Sequence, residues 1–406
     1  MKGVSMSKKN RKWLVFTIMC LAYMPGSYAR YQLSVFAPEL IQSFGLTTSQ
    51  FSSLFTAPMI VAIFLSFVGG MISDKVGSKK VINISFVIAG IGMIGRVFAN
   101  SYMPFFLCML LTGFSNMFVN INASKIIASW FEPEKLGIWM GILAFSSQLP
   151  GAFATATTAI LFDSRRSAFI ASAIFCISVF VLWLLFVKDR PEDTMEEREK
   201  IDQENKPSIG DSLKVVLSNK GIWLVSICTM MVFGSTVTLS TFMPIALQTM
   251  YGIDLKVCGT IASMLTLGNC IGSIIGPIVF SKIKNVKVFV SGVAVLNFVG
   301  IIMCWRFPSI FVLHILVLYT GIMLGASMPI FLSAPVLLEG LGTKYAGSAA
   351  GVISTLQLLG AVLIPTYILT PIAGDNYSLL FMLTSICMVI MFLCGLLLPQ
   401  FGNNQK

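Results

Sequence analysis

The stretch Gly70-Met71-Ile72-Ser73-Asp74-Lys75-Val76-Gly77-Ser78-Lys79-Lys80 lies between two long apolar runs of the chain. A glycine stands at its start and another beyond its centre, a single carboxylate lies between them, and lysines follow. Glycine favours tight turns because it adopts backbone angles that other residues avoid. The stretch therefore predicts a tight basic turn that joins two helices of membrane length.

The composition of the whole chain agrees with helices of that length. Of its 406 residues 56% are hydrophobic and only 11% are charged, whereas soluble domains carry about 25% charged residues. A helix needs about 20 apolar residues to cross a bilayer. The sequence predicts an all-α membrane protein with twelve spans, near residues 13–36, 50–72, 81–99, 104–130, 137–161, 167–187, 221–249, 256–280, 287–305, 309–337, 346–371 and 377–399.

The basic residues are distributed unevenly between the two sides of the predicted spans. The formal net charge is +11. If the N-terminus is cytoplasmic, most of the 28 Lys and Arg fall in inside segments, and the outside loops hold only Arg165, Arg166, Lys256 and Arg306. Membrane proteins show this excess on the cytoplasmic side. The charge therefore predicts two cytoplasmic termini and gives no support to a nucleic-acid partner.

A polar segment over residues 188–220 divides the chain into an N-terminal half (1–187) and a C-terminal half (221–406). We expect it to be a cytoplasmic linker with a short surface helix after Ile209. The two halves share a pattern at the end of their first spans, where Phe36, Pro38, Gln42 and Gly45 are echoed by Phe242, Pro244, Gln248 and Gly252. The echo predicts two parallel six-helix repeats.

Glycines also recur every four residues on two spans. One stripe is Gly268, Gly272 and Gly276, and the other is Gly347 and Gly351. Small residues at this spacing let helix backbones approach closely in lipid. We expect both stripes to be packing surfaces, with a surface facing substrate as the alternative.

Four stretches carry a resemblance to a known family. The Gly70–Lys80 stretch resembles the loop between the second and third spans of major facilitator superfamily transporters at every fixed position except one, which is Ile72 here. Residues 130–135 resemble the loop after the fourth span of that superfamily. Residues 28–34 are similar to the first span of its organic anion:cation symporter branch, and the seventh-span segment from Met243 to Gln248 resembles cyanate and nitrate permeases.

The resemblance implies a twelve-helix transporter that works by alternating access. It also implies that the basic turn is a conformational latch, formed by Gly70, Asp74, Lys75, Gly77, Lys79 and Lys80. We expect Asp74 to pair with a helix N-terminus or a nearby basic residue when the cytoplasmic side is closed.

The chain departs from the symporter branch at the residues implied in proton coupling. Ala29 stands where that branch has an Asp, and the fourth span has asparagines where relatives have an acid. Exchange of one anion for another, or facilitated movement with or without a counter-ion, is therefore as well supported as proton symport.

Arg30 is the leading candidate for substrate binding. A charge in the membrane interior costs at least ~2.5–3.5 kcal/mol and usually marks function. Helical spacing places Tyr23, Ser27 and Arg30 on one face, and a guanidinium suits a carboxylate through two hydrogen bonds. The alternatives are that Arg30 extends to the outer surface or pairs with Glu39.

The other candidate ligands are polar or basic residues on three further spans. Asn116 and Asn120 form the polar face of the fourth span, while Lys125 points away from that face and is a candidate ligand or gate residue. Thr238, Thr241 and Gln357 are candidate cavity groups in the second half. Helix–helix hydrogen bonds, or extension of Lys125 to the cytoplasm, are the alternatives, and Arg96 is expected to be structural or to extend to the surface.

The sequence thus predicts a transporter of a small anionic solute, monomeric in a bacterial plasma membrane. The spans hold basic residues and hydrogen-bonding groups but no secure acid, which favours anionic over cationic cargo. Efflux of hydrophobic or cationic compounds is the nearest alternative, and a sensor on the same fold is another. No paired acids, metal ligands or nucleophile–His arrangement indicates an enzyme, and the nine Cys and single His predict neither a metal nor a cofactor.

Overall fold

The computed structural model of the protein describes residues 8–131, 136–187, 209–338 and 342–400. These residues form helices joined by short connections. The helices are α1 (Lys8–Ala22), α2 (Met24–Val35), α3 (Ala37–Phe44), α4 (Thr48–Val76), α5 (Ser78–Phe98), α6 (Tyr102–Trp130), α7 (Leu136–Leu161), α8 (Arg165–Phe186), α9 (Ile209–Ser218), α10 (Lys220–Tyr251), α11 (Leu255–Ile283), α12 (Val286–Met303), α13 (Ile310–Ala326), α14 (Met328–Leu337), α15 (Gly342–Leu363), α16 (Thr370–Ala373) and α17 (Tyr377–Leu397). A π-helical turn, Ile364–Leu369, joins α15 to α16.

The helices follow the twelve predicted spans. Within the described residues, ten segments are individually long and apolar enough to cross a membrane. The other two predicted spans correspond to the broken helix α1–α3 and to α7. The short helix predicted after Ile209 is confirmed as α9.

Residue contacts divide the chain into two compact units. Unit 1 comprises Met1–Gln32, Ala57–Ala154 and Leu161–Asp202, and unit 2 comprises Leu33–Thr56, Thr155–Ile160 and Gln203–Lys406. Single helices, such as α4, therefore contribute residues to both units. The predicted halves, 1–187 and 221–406 with the linker 188–220 between them, stay a prediction.

Prolines break the first span into three helices. Pro25 lacks a backbone N–H and follows the turn at Tyr23, between α1 and α2. Pro38 lies in the first turn of α3, after the break at Phe36. A proline ring clashes with the carbonyl four residues earlier, so an interior proline bends or interrupts a helix.

The echoed glycines end equivalent spans in the same way. Gly45 caps α3 with φ 60° and Gly252 caps α10 with φ 65°. Both values are left-handed, a conformation that glycine adopts without strain at helix ends. A shared cap geometry explains why the pattern recurs in both halves.

The basic turn is shorter than the sequence predicts. α4 continues through Asp74 to Val76 and α5 begins at Ser78, so only Gly77 lies outside a helix. Its φ of 94° is strained for residues with a Cβ atom. Gly70 is therefore a helical residue rather than the start of a turn, and the reversal of the chain depends on Gly77.

The first glycine stripe is confirmed as a packing surface. A Cβ atom added to Gly268, Gly272 or Gly276 would lie 2.0–2.3 Å from a carbonyl oxygen of α13. The prediction of packing is wrong for the second stripe, because among the described residues no atom lies within 4 Å of a Cβ added to Gly347 or Gly351. Spacing alone could not distinguish a glycine that faces a helix from one that faces open space.

Gly272→Ala is expected to destabilise the protein strongly. Its new Cβ would lie 2.0 Å from the Ile322 carbonyl oxygen, and overpacking of this kind costs about 1–3 kcal/mol or more. Thermal unfolding of the purified protein should shift down by several degrees. Gly292→Ala is the matched control, because a Cβ there meets open space, and equal melting temperatures for the two variants would contradict the assignment.

Candidate functional site

The polar faces predicted for the first and fourth spans meet within unit 1. Tyr23 donates its phenol O–H to the amide oxygen of Asn120 at 2.9 Å. One turn further on, the Asn116 amide nitrogen donates to the Ser27 hydroxyl at 3.2 Å. We call these four residues the polar seam. Sequence spacing placed Tyr23 and Ser27 on one face of the first span, and Asn116 and Asn120 on one face of the fourth. The structure brings these two faces together.

Gly26 allows the two helices of the seam to approach. A Cβ atom at this position would lie 2.8 Å from the side-chain oxygen of Asn116. Only glycine leaves room for the amide against the backbone of α2. The Asn116 oxygen is itself buried and accepts no hydrogen bond within the described residues, so the seam contains an acceptor that a ligand or water could satisfy.

Arg30 lies on α2 one turn beyond Ser27 and is half-buried. The centre of its guanidinium lies 4.8 Å from the ring centroid of Tyr31. That ring packs on Gly151 of α7, where an added Cβ would lie 2.7 Å from it. The structure thus places the Arg30 cation beside neutral hydrogen-bonding groups, as the sequence predicts. It also holds the ring on which Arg30 stacks against a further helix, α7.

Arg96 is only 1% exposed, so the alternative that it extends to the surface is wrong. Its guanidinium donates to the Ala29 carbonyl and the Gln32 side-chain oxygen, both at 2.9 Å, and to the Ser172 hydroxyl. No sequence pattern indicates this network, because Gln32 and Ser172 are single polar residues in different spans. Their pairing with Arg96 depends on how α2, α5 and α8 pack.

The candidates of the second half lie within unit 2. Thr238 and Thr241 are fully buried and donate to the carbonyls of Gly234 and Val237, four residues earlier in α10. Their hydroxyls thus bond within their own helix, as is common in membrane spans. Gln357 is half-buried on α15. A ligand role for these three residues stays a prediction.

A second group of hydroxyls, which the sequence analysis missed, joins α4 to the eleventh span in unit 2. Ser49 lies 2.9 Å from Thr370 between hydroxyl oxygens, and Ser52 lies 2.9 Å from Thr366. Thr56 also reaches Thr366, at 3.3 Å. We call these five residues the hydroxyl seam, and a fourth contact, from Thr48 to Asp375, continues it. The Ser/Thr-rich start of α4 was the available signal.

The latch candidates are only partly described. Lys79 places its ammonium nitrogen 3.5 Å from the Leu184 carbonyl oxygen, near the C-terminal end of α8 where helix carbonyls carry partial negative charge. Lys80 is exposed. The described part of the structure does not include the side chains of two further latch candidates, Asp74 and Lys75. It also does not include the side chain of Lys125 in α6.

No group of three or more His, Cys, Asp or Glu that could hold a metal ion occurs among the described residues. The polar seam itself contains only neutral side chains beside the Arg30 cation. Hydrogen bonding and charge attraction are therefore what the described site offers to a ligand.

Comparison with known proteins identifies the family. The model of the Major Facilitator Superfamily matches residues 16–365. The chain belongs to the major facilitator superfamily. It is therefore a multi-pass integral membrane protein of a transporter family, with the twelve-helix fold of that superfamily, and it is not an enzyme.

Several relatives of this superfamily member match most of its length. A probable sulfoacetate transporter from Cupriavidus necator is 24% identical and aligns over 84% of this chain and 83% of its own. A membrane sensor protein from Salmonella typhimurium is 24% identical and aligns over 87% of this chain and 83% of its own. A galacturonate transporter from Dickeya chrysanthemi is 23% identical and aligns over 70% of this chain and 86% of its own.

A solved structure shares the fold. It is a bacterial homologue of the human lysosomal transporter Spinster, in an inward-facing and unoccupied conformation. The TM-score is 0.78 at 14% sequence identity, with 95% of this chain and 96% of that chain covered. At this identity the likeness concerns the fold alone.

Proposed function

We propose that this superfamily member transports a small anion that carries a carboxylate or sulfonate, and that Arg30 binds the anionic group. The observation that carries the proposal is the half-buried position of Arg30 beside the polar seam. Two relatives bear the names of transporters of acids, sulfoacetate and galacturonate. Both compounds are small anions with hydrogen-bonding oxygens.

The chemistry of the seam suits such a ligand. A guanidinium stacked on a ring is oriented, and its planar N–H fork matches the geometry of a carboxylate. Asn120 is exposed and Asn116 has an unsatisfied buried oxygen, so amide groups are placed to bind ligand hydroxyls. A lipophilic cation would find a positive charge and no carboxylate among the residues of the seam.

Ligand-dependent thermal unfolding of the purified full chain tests the class of cargo. We expect sulfoacetate or galacturonate to raise the melting temperature, because a ligand that binds only the folded state stabilises it by mass action. Tetraphenylphosphonium is the opposing probe for cationic efflux. Stabilisation by tetraphenylphosphonium alone would overturn the anion proposal.

A sensor is the second candidate, because one relative bears that name. A sensor and a transporter would both bind the anion, so binding does not distinguish them. Uptake of the stabilising anion into proteoliposomes does. Binding without uptake at any imposed gradient would favour the sensor.

We propose that transport occurs by alternating access. In this proposal the hydroxyl seam is the closed contact on one side of the membrane, and the Gly77 turn is the closed contact on the other side. Each neutral hydrogen bond contributes only about 0.5–1.5 kcal/mol net, so a few such bonds can hold a side closed and still break in every cycle. The distribution of Lys and Arg supports a plasma membrane location with both termini in the cytoplasm. A bacterial source and a monomeric state complete the proposal.

Asp74→Asn is expected to slow transport several-fold without reducing insertion. The substitution keeps the shape of the side chain and removes the charge that the latch needs. Initial uptake rates, normalised to the amount of protein in the membrane, provide the measurement. Lys214→Gln is the control, because it removes an exposed charge on α9, outside the latch residues, and it should leave the rate unchanged. Equal rates for wild type and Asp74→Asn would refute the latch.

A further inference from the structure

Arg96 is a fully buried cation whose described partners are all neutral. It lies in the last turn of α5 and donates to two side-chain oxygens and one carbonyl, from Gln32, Ser172 and Ala29. Its guanidinium also lies 4.4 Å from the ring centroid of Phe169. Burying a charge costs several kcal/mol even after the surroundings relax, so an apolar side chain would fill this space at lower cost.

The partners of Arg96 flank Arg30 in the chain. Ala29 precedes Arg30 and Gln32 lies two residues beyond it. Gln32 is fully buried and its amide nitrogen donates to the Ala168 carbonyl on α8 at 3.1 Å. Both sides of Arg30 are therefore tied to α5, and Gln32 is also tied to α8.

The residue between them is restrained as well. Tyr31, on which the Arg30 guanidinium stacks, packs against Gly151 of α7. Residues 29, 31 and 32 are thus each held by a neighbouring span, on a helix that prolines interrupt on either side.

We propose that Arg96 is a positioning residue for the anion site: through Ala29 and Gln32 it fixes the segment of α2 that presents Arg30. Arg96 acts through that segment and does not touch the ligand. The inference rests on the proposed function, since it assigns Arg96 a role only if Arg30 binds the anion. Catalytic and binding groups require support of this kind, because small displacements of a charged ligand group weaken its contacts.

The test uses the full-length protein and the better-binding of two probes, sulfoacetate and galacturonate. Gln32→Leu removes one acceptor of the network and leaves Arg96 and Arg30 in place. We expect it to raise KM for uptake about tenfold, with the maximal rate changed less than twofold. Arg96→Met removes all donors of the network and should also raise KM. Arg96→Lys keeps a donor for the Ala29 carbonyl, so its KM should lie between those of wild type and Arg96→Met.

A double-mutant cycle separates positioning from a general structural role. Gln32→Leu should cost much less affinity in an Arg30→Lys background than in wild type, because the lysine does not depend on the same orientation. An equal loss in both backgrounds, or a fall in maximal rate with unchanged KM, would overturn the inference. Ser172→Ala is a milder variant of the same network if Arg96→Met does not fold.

The two proposals fail in different ways. If Arg30→Ala leaves the affinity for the probe unchanged, the proposed function is wrong and the role of Arg96 falls with it. If Arg30→Ala weakens binding but Gln32→Leu and Arg96→Met do not, only the inference about Arg96 is wrong.

Discussion

Replacing Arg30 with Ala is expected to abolish most of the affinity for sulfoacetate and galacturonate. Truncating one partner of a buried, hydrogen-bonded charge pair costs about 2–5 kcal/mol, and each 1.4 kcal/mol is a tenfold change in affinity. The loss should therefore exceed about thirtyfold. It arises because the remaining groups of the polar seam, Tyr23, Ser27, Asn116 and Asn120, are neutral and cannot replace the guanidinium.

Isothermal titration with wild type and Arg30→Ala provides the measurement, with the melting temperature of the unliganded proteins as a check on folding. Arg306→Ala is the matched control, because it removes an exposed arginine from a short connection. Arg30→Lys keeps the charge but not the planar fork, and should retain part of the affinity. An unchanged dissociation constant for Arg30→Ala would refute the anion site.

Joining the hydroxyl seam covalently is expected to stop transport. Ser49 and Thr370 have their hydroxyl oxygens 2.9 Å apart, so cysteine sulfurs in the positions of these oxygens would lie close together, as a disulfide requires. In the variant Ser49→Cys/Thr370→Cys, oxidation should block uptake nearly completely, because the alternating access that we propose requires this contact to open once in every cycle. A reductant should restore the rate.

The controls must account for the native thiols, since the chain contains nine Cys. Each single variant, Ser49→Cys and Thr370→Cys, receives the same oxidant and should keep its rate. Binding of the anion to the oxidised double variant should persist, which would show that the block affects movement and not the site. Uptake at the unoxidised rate by fully cross-linked protein would exclude the seam as a gate.

Which side chains meet was only partly predictable. The helical repeat placed Tyr23 and Ser27 on one face of the first span, and Asn116 and Asn120 on one face of the fourth. No sequence pattern predicted that Tyr23 would form a hydrogen bond with Asn120, or Asn116 with Ser27. That pairing depends on Gly26, which removes the side chain that would otherwise separate the two helices.

The errors have similar physical origins. Gly70 and Gly77 look alike in the sequence, yet only Gly77 leaves the helix, because a helix tolerates glycine in its interior at a cost of about 1 kcal/mol. Gly272 and Gly351 share a spacing, yet only Gly272 faces another backbone. In each case the neighbour, and not the residue, decides the role.

By itself, the sequence determined the number and position of the spans, the short helix α9, the recurrence of glycine where the first and seventh spans end, and Arg30 as the leading charged candidate. These features follow from apolar length, local backbone preference and the cost of a charge in lipid, all of which act on neighbouring residues. Only the tertiary structure decided that Arg96 bonds Ala29 and Gln32, and that α4 meets the eleventh span through hydroxyls. Those contacts join residues 64 to 321 positions apart, and hydrogen bonds between such distant residues exist only once the helices have packed.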